Sequence, residues 1–246
     1  DAYEYHGDGG NDYNRKSSDH RTYMPDLYVE GAKEIVITGL GYEVSFNENS
    51  DQVYIPSELE IQRDGERLLV SMPDYMNNST AHITVGTLVQ LEKVEFRTAY
   101  LRLNDRVKVE SVEIETTAGE IRGEITASEK ISIEGTSLSI TGSLKSPEIV
   151  IANVPALSFT GSVEAGEFLV RNGVALSFSM EASKIEDLSI EGAVINGRIK
   201  FNDSWNGRRR VKVSAFSGSL NLMMPAGSGG FELVTSGMVS VVTEKY

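Results

Sequence analysis

The feature that most constrains this chain is a pattern of alternating apolar and small polar residues that recurs about every 19 residues. It reads VEIETTAGEIRGEI at 112–125, ISIEGTSLSITGSL at 131–144 and IVIANVPALSFTGSV at 149–163. The first inward residues of successive units align, at intervals of 18 to 23 residues, as Val94, Val112, Ile131, Ile149, Phe168, Leu188, Val211 and Phe231. A period of this length indicates a repeat architecture.

The repeat predicts stacked strands rather than helices. Side chains two residues apart lie on the same face of a strand, so Ile131 and Ile133 point inward while Ser132 and Glu134 point outward. Leucine-rich repeats would need a helical or equivalent half-unit, and propeller blades need about 40 residues. The sequence therefore predicts an all-β fold with almost no helix: a right-handed parallel β-helix built from rungs of about 18–20 residues.

The alignment also predicts which side chains stack inside the coil. Phe159 and Phe178 each lie ten residues after the start of a unit, and Ile121 and Ile140 each lie nine residues after one. We expect each pair to stack in the interior. Glycines are expected at corners that require a positive φ angle, namely Gly123, Gly135, Gly142, Gly161 and Gly192.

The repeat also divides the chain. Residues 1–25 are polar and without periodicity, which predicts an N-terminal arm, and 26–246 are expected to form one β-helix domain. Within it, 26–93 should be a flatter N-terminal β portion and 94–246 the regular rungs. The chain begins at Asp1 rather than Met, which fits a mature form whose export signal has been removed and fits a trimmed chain equally well. Residues 1–25 and 242–246 are expected to cover the two ends of the coil.

Composition excludes several classes of partner. The formal net charge is −13, and so acidic a surface repels nucleic-acid phosphates and anionic lipids. No apolar run approaches the roughly 18 residues that would span a bilayer. The chain has no cysteine, so disulfides and thiolate metal sites are excluded.

One surface segment stands out as a candidate binding site. The unit after Leu188 is lengthened by the insertion NDSWNGRRR, which holds the only tryptophan, Trp205, and the basic triplet Arg208, Arg209 and Arg210. An aromatic plane beside guanidinium groups can stack on a sugar ring or bind a carboxylate. In the other interpretation, Trp205 covers a groove between corners and the arginines pair with neighbouring acids.

The histidines do not form a convincing metal site. His6 lies near Asp8 and Asp12, and His20 follows Asp19, but the spacing matches no established ligand pattern. We therefore predict no metal and no other cofactor.

The acidic residues raise the question of an enzyme, because polysaccharide-active enzymes also use β-helices. Glu113, Glu115, Glu120 and Glu124 occupy outward positions and are expected to align with Glu134 in an acidic stripe. Such a stripe is either a solvated face or the source of an acid–base pair. The motifs of a nucleophile elbow, a zinc protease and a phosphate-binding loop are all missing, which favours a protein that is not an enzyme.

Three segments resemble a known family. SGSLNLMMPAGSGGFELVTSGMVSV at 217–241 resembles the closing rungs of the bacterial putative-adhesin family, KEIVITGLGYEVSFNENSDQVYI at 33–55 its opening strand pair, and DGERLLVSM at 64–72 the hairpin that follows. The resemblance covers most of the chain from about residue 33. It implies a β-helix-like fold and an extracytoplasmic location in the bacterial cell envelope or at the cell surface, and it implies no catalytic residues. The insertion after Leu188 departs from the family pattern.

Three functions remain open from the sequence. The leading one is a non-enzymatic binding or adhesion module of the envelope or surface, whose unknown ligand is a carbohydrate or a protein. The alternative is a polymerising scaffold like the bactofilins, which would need bare, apolar terminal rungs. The third is a polysaccharide-active β-helix enzyme.

Overall fold

A computed structural model describes residues 20–246, which form a nearly all-β protein with one short 3₁₀ turn, Asp74–Met76. The strands are β1 (Arg21–Tyr23), β2 (Leu27–Glu30), β3 (Glu34–Asn47), β4 (Gln52–Ile55), β5 (Glu60–Asp64), β6 (Arg67–Ser71), β7 (Ser79–Gly86), β8 (Leu91–Leu103), β9 (Arg106–Ile121), β10 (Glu124–Ile140), β11 (Ser143–Lys145), β12 (Glu148–Ala152), β13 (Ala156–Glu164), β14 (Glu167–Ser183), β15 (Asp187–Phe201), β16 (Arg208–Met224), β17 (Gly230–Gly237) and β18 (Ser240–Lys245).

The predicted coil of stacked parallel strands is confirmed. From β8 onward each rung pairs in parallel with the next, and the solenoid has about eight turns. One internal column runs through the whole stack as Ile35, Val94, Val112, Ile131, Ile149, Phe168, Leu188, Val211 and Leu233. The right-handed sense of the coil stays a prediction.

The internal register agrees with the repeat. Phe159 lies opposite Phe178, and both side chains are buried. Ile121 lies opposite Ile140, and both are buried as well. Both predicted stacks are therefore confirmed, and they belong to a continuous apolar core that extends from Ala32 to Leu222.

The predicted start of the last rung was wrong by two residues. Val211 stacks on Leu233 rather than on Phe231, and Phe231 lies opposite Arg209. Residues two apart in a strand share a face, so alternation alone cannot distinguish registers that differ by two. Phe231 packs instead against Phe201 and Trp205.

The stack continues into the N-terminal part of the chain. Strand β3 pairs in parallel with β8 on one side and with β6 and β7 on the other. Antiparallel pairs β2–β4, β4–β7 and β5–β6 then close this end. The inward side chains of β3, β4 and β6 are consequently buried. The division at residue 93 remains a prediction.

The expected role of the corner glycines needs correction. Of the five named from the sequence, only Gly161 has a positive φ, of 152°. Gly123, Gly135 and Gly142 are required instead by close approach to a backbone carbonyl oxygen of the neighbouring rung, whereas Gly192 approaches the Leu176 side chain. A Cβ on Gly142 would lie 2.0 Å from the Gly123 carbonyl oxygen, and one on Gly123 would lie 1.6 Å from the Asp105 carbonyl oxygen.

The ends of the coil also differ from expectation. Residues 242–246 do not cover the C-terminal end: residues up to Lys245 are part of β18, in the last rung itself. Of the predicted N-terminal arm, residues 1–19 lie outside the described residues, while Arg21–Tyr23 form β1 and pair with β7.

Candidate functional site

The inserted segment forms a loop, residues 202–207, that folds against the core between β15 and β16. Trp205 packs on Phe201 and Phe231, with ring centroids 5.5 and 5.4 Å away. Its indole Nε1 donates a hydrogen bond of 3.2 Å to the Gly230 carbonyl. Half-buried and tied to the next rung, Trp205 is a structural part of this corner.

The basic triplet is split by the alternation of β16, because Arg208 and Arg210 are exposed whereas Arg209 is buried. The Arg209 guanidinium lies 4.1 Å from the centroid of the Trp205 ring and forms an ion pair with Asp203. Burial would raise the pKa of Asp203, but the hydrogen bond and charge of Arg209 outweigh it and hold that pKa below its ordinary value. Arg209 therefore joins the loop to the core.

The other two arginines face an open cavity of about 590 Å³. Arg210 forms a 3.0 Å ion pair with Asp187. Arg208 has no ion pair among the residues that the structure describes. All four residues predicted from the sequence line this cavity, together with Lys184, Glu186, Asp187, Asp203, Asn206 and Glu232. The charges of the lining balance, and Arg208 is its unpaired cation, while the acids Glu186 and Glu232 also form no ion pair within the described residues.

A second cavity, of about 680 Å³, lies on another part of the coil and was not predicted. Beside it runs a row of ionisable side chains from four adjacent strands. His82 Nε2 lies 3.6 Å from a Glu43 carboxylate oxygen, and Arg102 bridges Glu43 at 3.3 Å and Glu120 at 3.2 Å. Tyr100 also lines the cavity, and burial raises the pKa of its hydroxyl.

A sequence signal for this row does exist. Glu43, Arg102 and Glu120 each lie eight residues after an internal-column residue: Ile35, Val94 and Val112 respectively. Their charges alternate from rung to rung. The regular repeat is recognised from Val94 onward, and Glu43 lies in the rung before it. The repeat alone therefore did not reveal the row.

Of the residues considered for a metal site, the structure describes only His20. His6, Asp8, Asp12 and Asp19 lie outside the described residues. His20 Nε2 lies 3.1 Å from Thr80 Oγ1, and His82 lies beside Glu43. Within residues 20–246 no group of three or more potential metal ligands occurs.

Among the acidic residues of the predicted stripe, Glu113 forms an ion pair with Lys93, whereas Glu115 and Glu134 form none within the described residues. Glu115 lies opposite Glu134, but Glu113 and Glu120 lie opposite serines and Glu124 lies opposite Arg106, so the predicted alignment of all these acids was wrong. Glu120 is bound by Arg102 and Arg122, and Glu124 by Arg106. Burial opposes the shift, but the hydrogen bond from Arg102 lowers the pKa of Glu120, which favours its ionised form at neutral pH. Glu120 thus does not resemble a protonated general acid.

No family model and no curated protein matches the chain. Among solved structures, it is similar to a putative adhesin from Bacteroides fragilis (14% identity, TM-score 0.45, 91% of this chain and 99% of that one). It is also similar to a putative lipid binding protein from Parabacteroides distasonis (15% identity, TM-score 0.33, 92% and 100%) and a putative adhesin from Parabacteroides merdae (10% identity, TM-score 0.29, 92% and 99%). Within residues 20–246, no helix is long and apolar enough to cross a membrane.

Proposed function

We propose that this protein is a non-enzymatic binding module of the bacterial cell envelope or cell surface, and that the cavity beside Trp205 is its contact site. The rigid solenoid supports this, since a loop that interrupts a regular coil is held at a fixed place on a stiff surface. The sequence resemblance to bacterial adhesins supports the location.

The observation that carries the proposal is the environment of Arg208. The nearby cations Arg209, Arg210 and Lys184 are paired with Asp203, Asp187 and Glu164. Arg208 is exposed at the edge of the same cavity, so its guanidinium offers planar donors suited to a carboxylate. The ligand class that fits is an acidic glycan or an acidic protein segment, the carboxylate being the shared chemistry.

The test is binding of purified envelope polysaccharides and acidic peptides, measured by calorimetry. The Arg208→Ala variant should lose most of the affinity while keeping the melting temperature, because Arg208 makes no ion pair among the described residues. Arg171→Ala is the matched control, since Arg171 is an exposed arginine on β14, away from this cavity. Equal affinity in the two variants would contradict the proposal.

A non-enzymatic function is tested in the same preparations. Release of reducing ends from bacterial and host polysaccharides should stay at the level of a protein-free blank. Turnover that persists through purification would instead favour the polysaccharide-active alternative. The scaffold alternative would need two adhesive ends, and the N-terminal end is closed by short antiparallel strands.

A further inference from the structure

The C-terminal end of the coil is open in the part of the chain that the structure describes. Strands β17 and β18 pair only with β16, so their outer backbone edges lack a partner strand. Leu233 is 37% exposed, whereas Val211, which it stacks on, is fully buried. Val234 and Met238 are exposed beside it, at 51% and 80%.

Along β17 this edge lacks the usual protection against pairing, whereas β18 carries Glu244 and Lys245 at its end. Strand β17 is eight residues long, contains no proline or lysine, and carries Glu232 as its only charge. Long apolar edges of this kind are templates for strand addition. The N-terminal end is different, because β1, β2 and β5 are only three, four and five residues long, and β5 carries Glu60, Arg63 and Asp64.

We infer that the open C-terminal rung docks against the same rung of a second copy, giving a closed pair. A twofold axis through Leu233 would place β17 antiparallel to its equivalent, which is the geometry of self-pairing edges. Leu233 would then meet Leu233 of the second copy and extend the internal column across the interface.

The charges and the dimensions of the C-terminal rung are compatible with a second copy of the chain as its partner. In that register Glu232 lies opposite Val234 and Phe231 opposite Thr235, so no like charges face each other along β17. An eight-residue strand is about 26 Å long, and a two-sheet coil with its outward side chains is about 20 Å wide. Two such ends would bury on the order of 1,000 Å², the lower limit for a specific interface. The pair should therefore be reversible and dependent on concentration.

The asymmetry of the two ends decides between a pair and a filament. A filament needs a second adhesive end on each molecule, and here the other end is closed by short, charged, antiparallel strands. The closed pair does not depend on the ligand-binding proposal. Its formation would leave no adhesive end for the growth of a filament.

The first test is the mass in solution over a hundredfold range of protein concentration. Light scattering on a sizing column should show a rise from 26.9 kDa towards twice that value and no further. Leu233→Lys should weaken the pair by about tenfold or more, because it places two like charges at the axis. Val194→Lys is the matched control, since Val194 is also 37% exposed but lies within the coil.

A cysteine variant keeps the test informative if the lysine variant folds poorly. The chain has no cysteine, so Leu233→Cys introduces a single thiol. Opposed strand residues lie within disulfide distance, and mild oxidation should therefore produce a covalent dimer, unlike Val174→Cys on an exposed mid-coil site. A mass fixed at the monomer, growth beyond the dimer, or no cross-link at Leu233 would overturn the inference.

Discussion

The three consecutive arginines at the start of β16 occupy two different environments. Arg208 and Arg210 point outward, whereas Arg209 is buried beside the ring of Trp205 and paired with Asp203. The sequence-based interpretation treated them as one basic group because they are adjacent. Period-two alternation separates them, and only Arg208 and Arg210 can meet a ligand in solution.

Replacing Trp205 by alanine should destabilise the fold by about 2 kcal/mol, less than a fully buried aromatic would, because the ring is half-buried. The measurement is denaturant unfolding followed by circular dichroism, since the variant has no tryptophan fluorescence. Trp205→Phe should lose less, as it keeps contacts with Phe201 and Phe231. Unchanged unfolding together with lost ligand binding would show that the ring acts only in recognition.

The ion pair of Asp203 with Arg209 should make stability sensitive to acid. Because the folded-state pKa of Asp203 is depressed, its contribution is present above the unfolded pKa of about 3.9 and is lost as the pH falls through the folded value. Asp203→Asn should cost about 1–2 kcal/mol at pH 7 and progressively less as the pH falls below the unfolded pKa of about 3.9. Urea unfolding across this range measures the difference, with Asp64→Asn on exposed β5 as control. A constant difference would contradict the linkage.

At the scale of the element, periodicity predicted the rungs well and their exact register less well. The stacks of Phe159 on Phe178 and Ile121 on Ile140 follow from equal spacing in units of similar length. The last rung follows a loop of different length, and a shift of two residues keeps every inward residue inward. The packing of Phe231 against Trp205 and the hydrogen bond from Trp205 to Gly230 belong to the observed register, and neither contact is visible in the sequence.

The glycine corner formed by Gly123, Gly142 and Gly161 should be intolerant of any side chain. Each successive rung approaches the carbonyl oxygen of the one before, and the Ser143 amide donates to the Gly123 carbonyl at 3.0 Å. Gly142→Ala should cost about 1–3 kcal/mol through forced separation of the rungs. Gly230→Ala is the control, because its added Cβ meets nothing within 4 Å. Equal thermal unfolding of the two variants would show that the corner can relax.

At the scale of the whole molecule, the sequence predicts the coil better than its ends and its sites. The sequence repeat predicts internal rungs, which have a neighbouring rung on both sides. The structure of an end depends instead on the segments that pack over it, and these segments do not follow the repeat. The antiparallel strands that close the N-terminal end carry no repeat. The row of Glu43, Arg102 and Glu120 assembles from three strands that are distant in the sequence, so no local motif marks it.

Stability along the coil should be graded from the middle towards the open end. In a solenoid each rung is stabilised mainly by its neighbours, and β17 and β18 have a neighbour on one side only. Hydrogen exchange at low protein concentration should therefore be faster in residues 230–245 than in residues 148–201. Strand β3 should exchange as slowly as the middle, because β6 and β7 cover it.

The same measurement at high protein concentration links this gradient to the proposed pair. Docking of two open ends supplies the missing neighbour, so exchange in residues 230–245 should slow while the rest of the chain is unchanged. Leu233→Lys should remove the concentration dependence and leave the gradient, since it acts on the contact between copies and not on the rung beneath. Uniform exchange at every concentration would mean that the coil opens as one unit and that its end rung needs no partner.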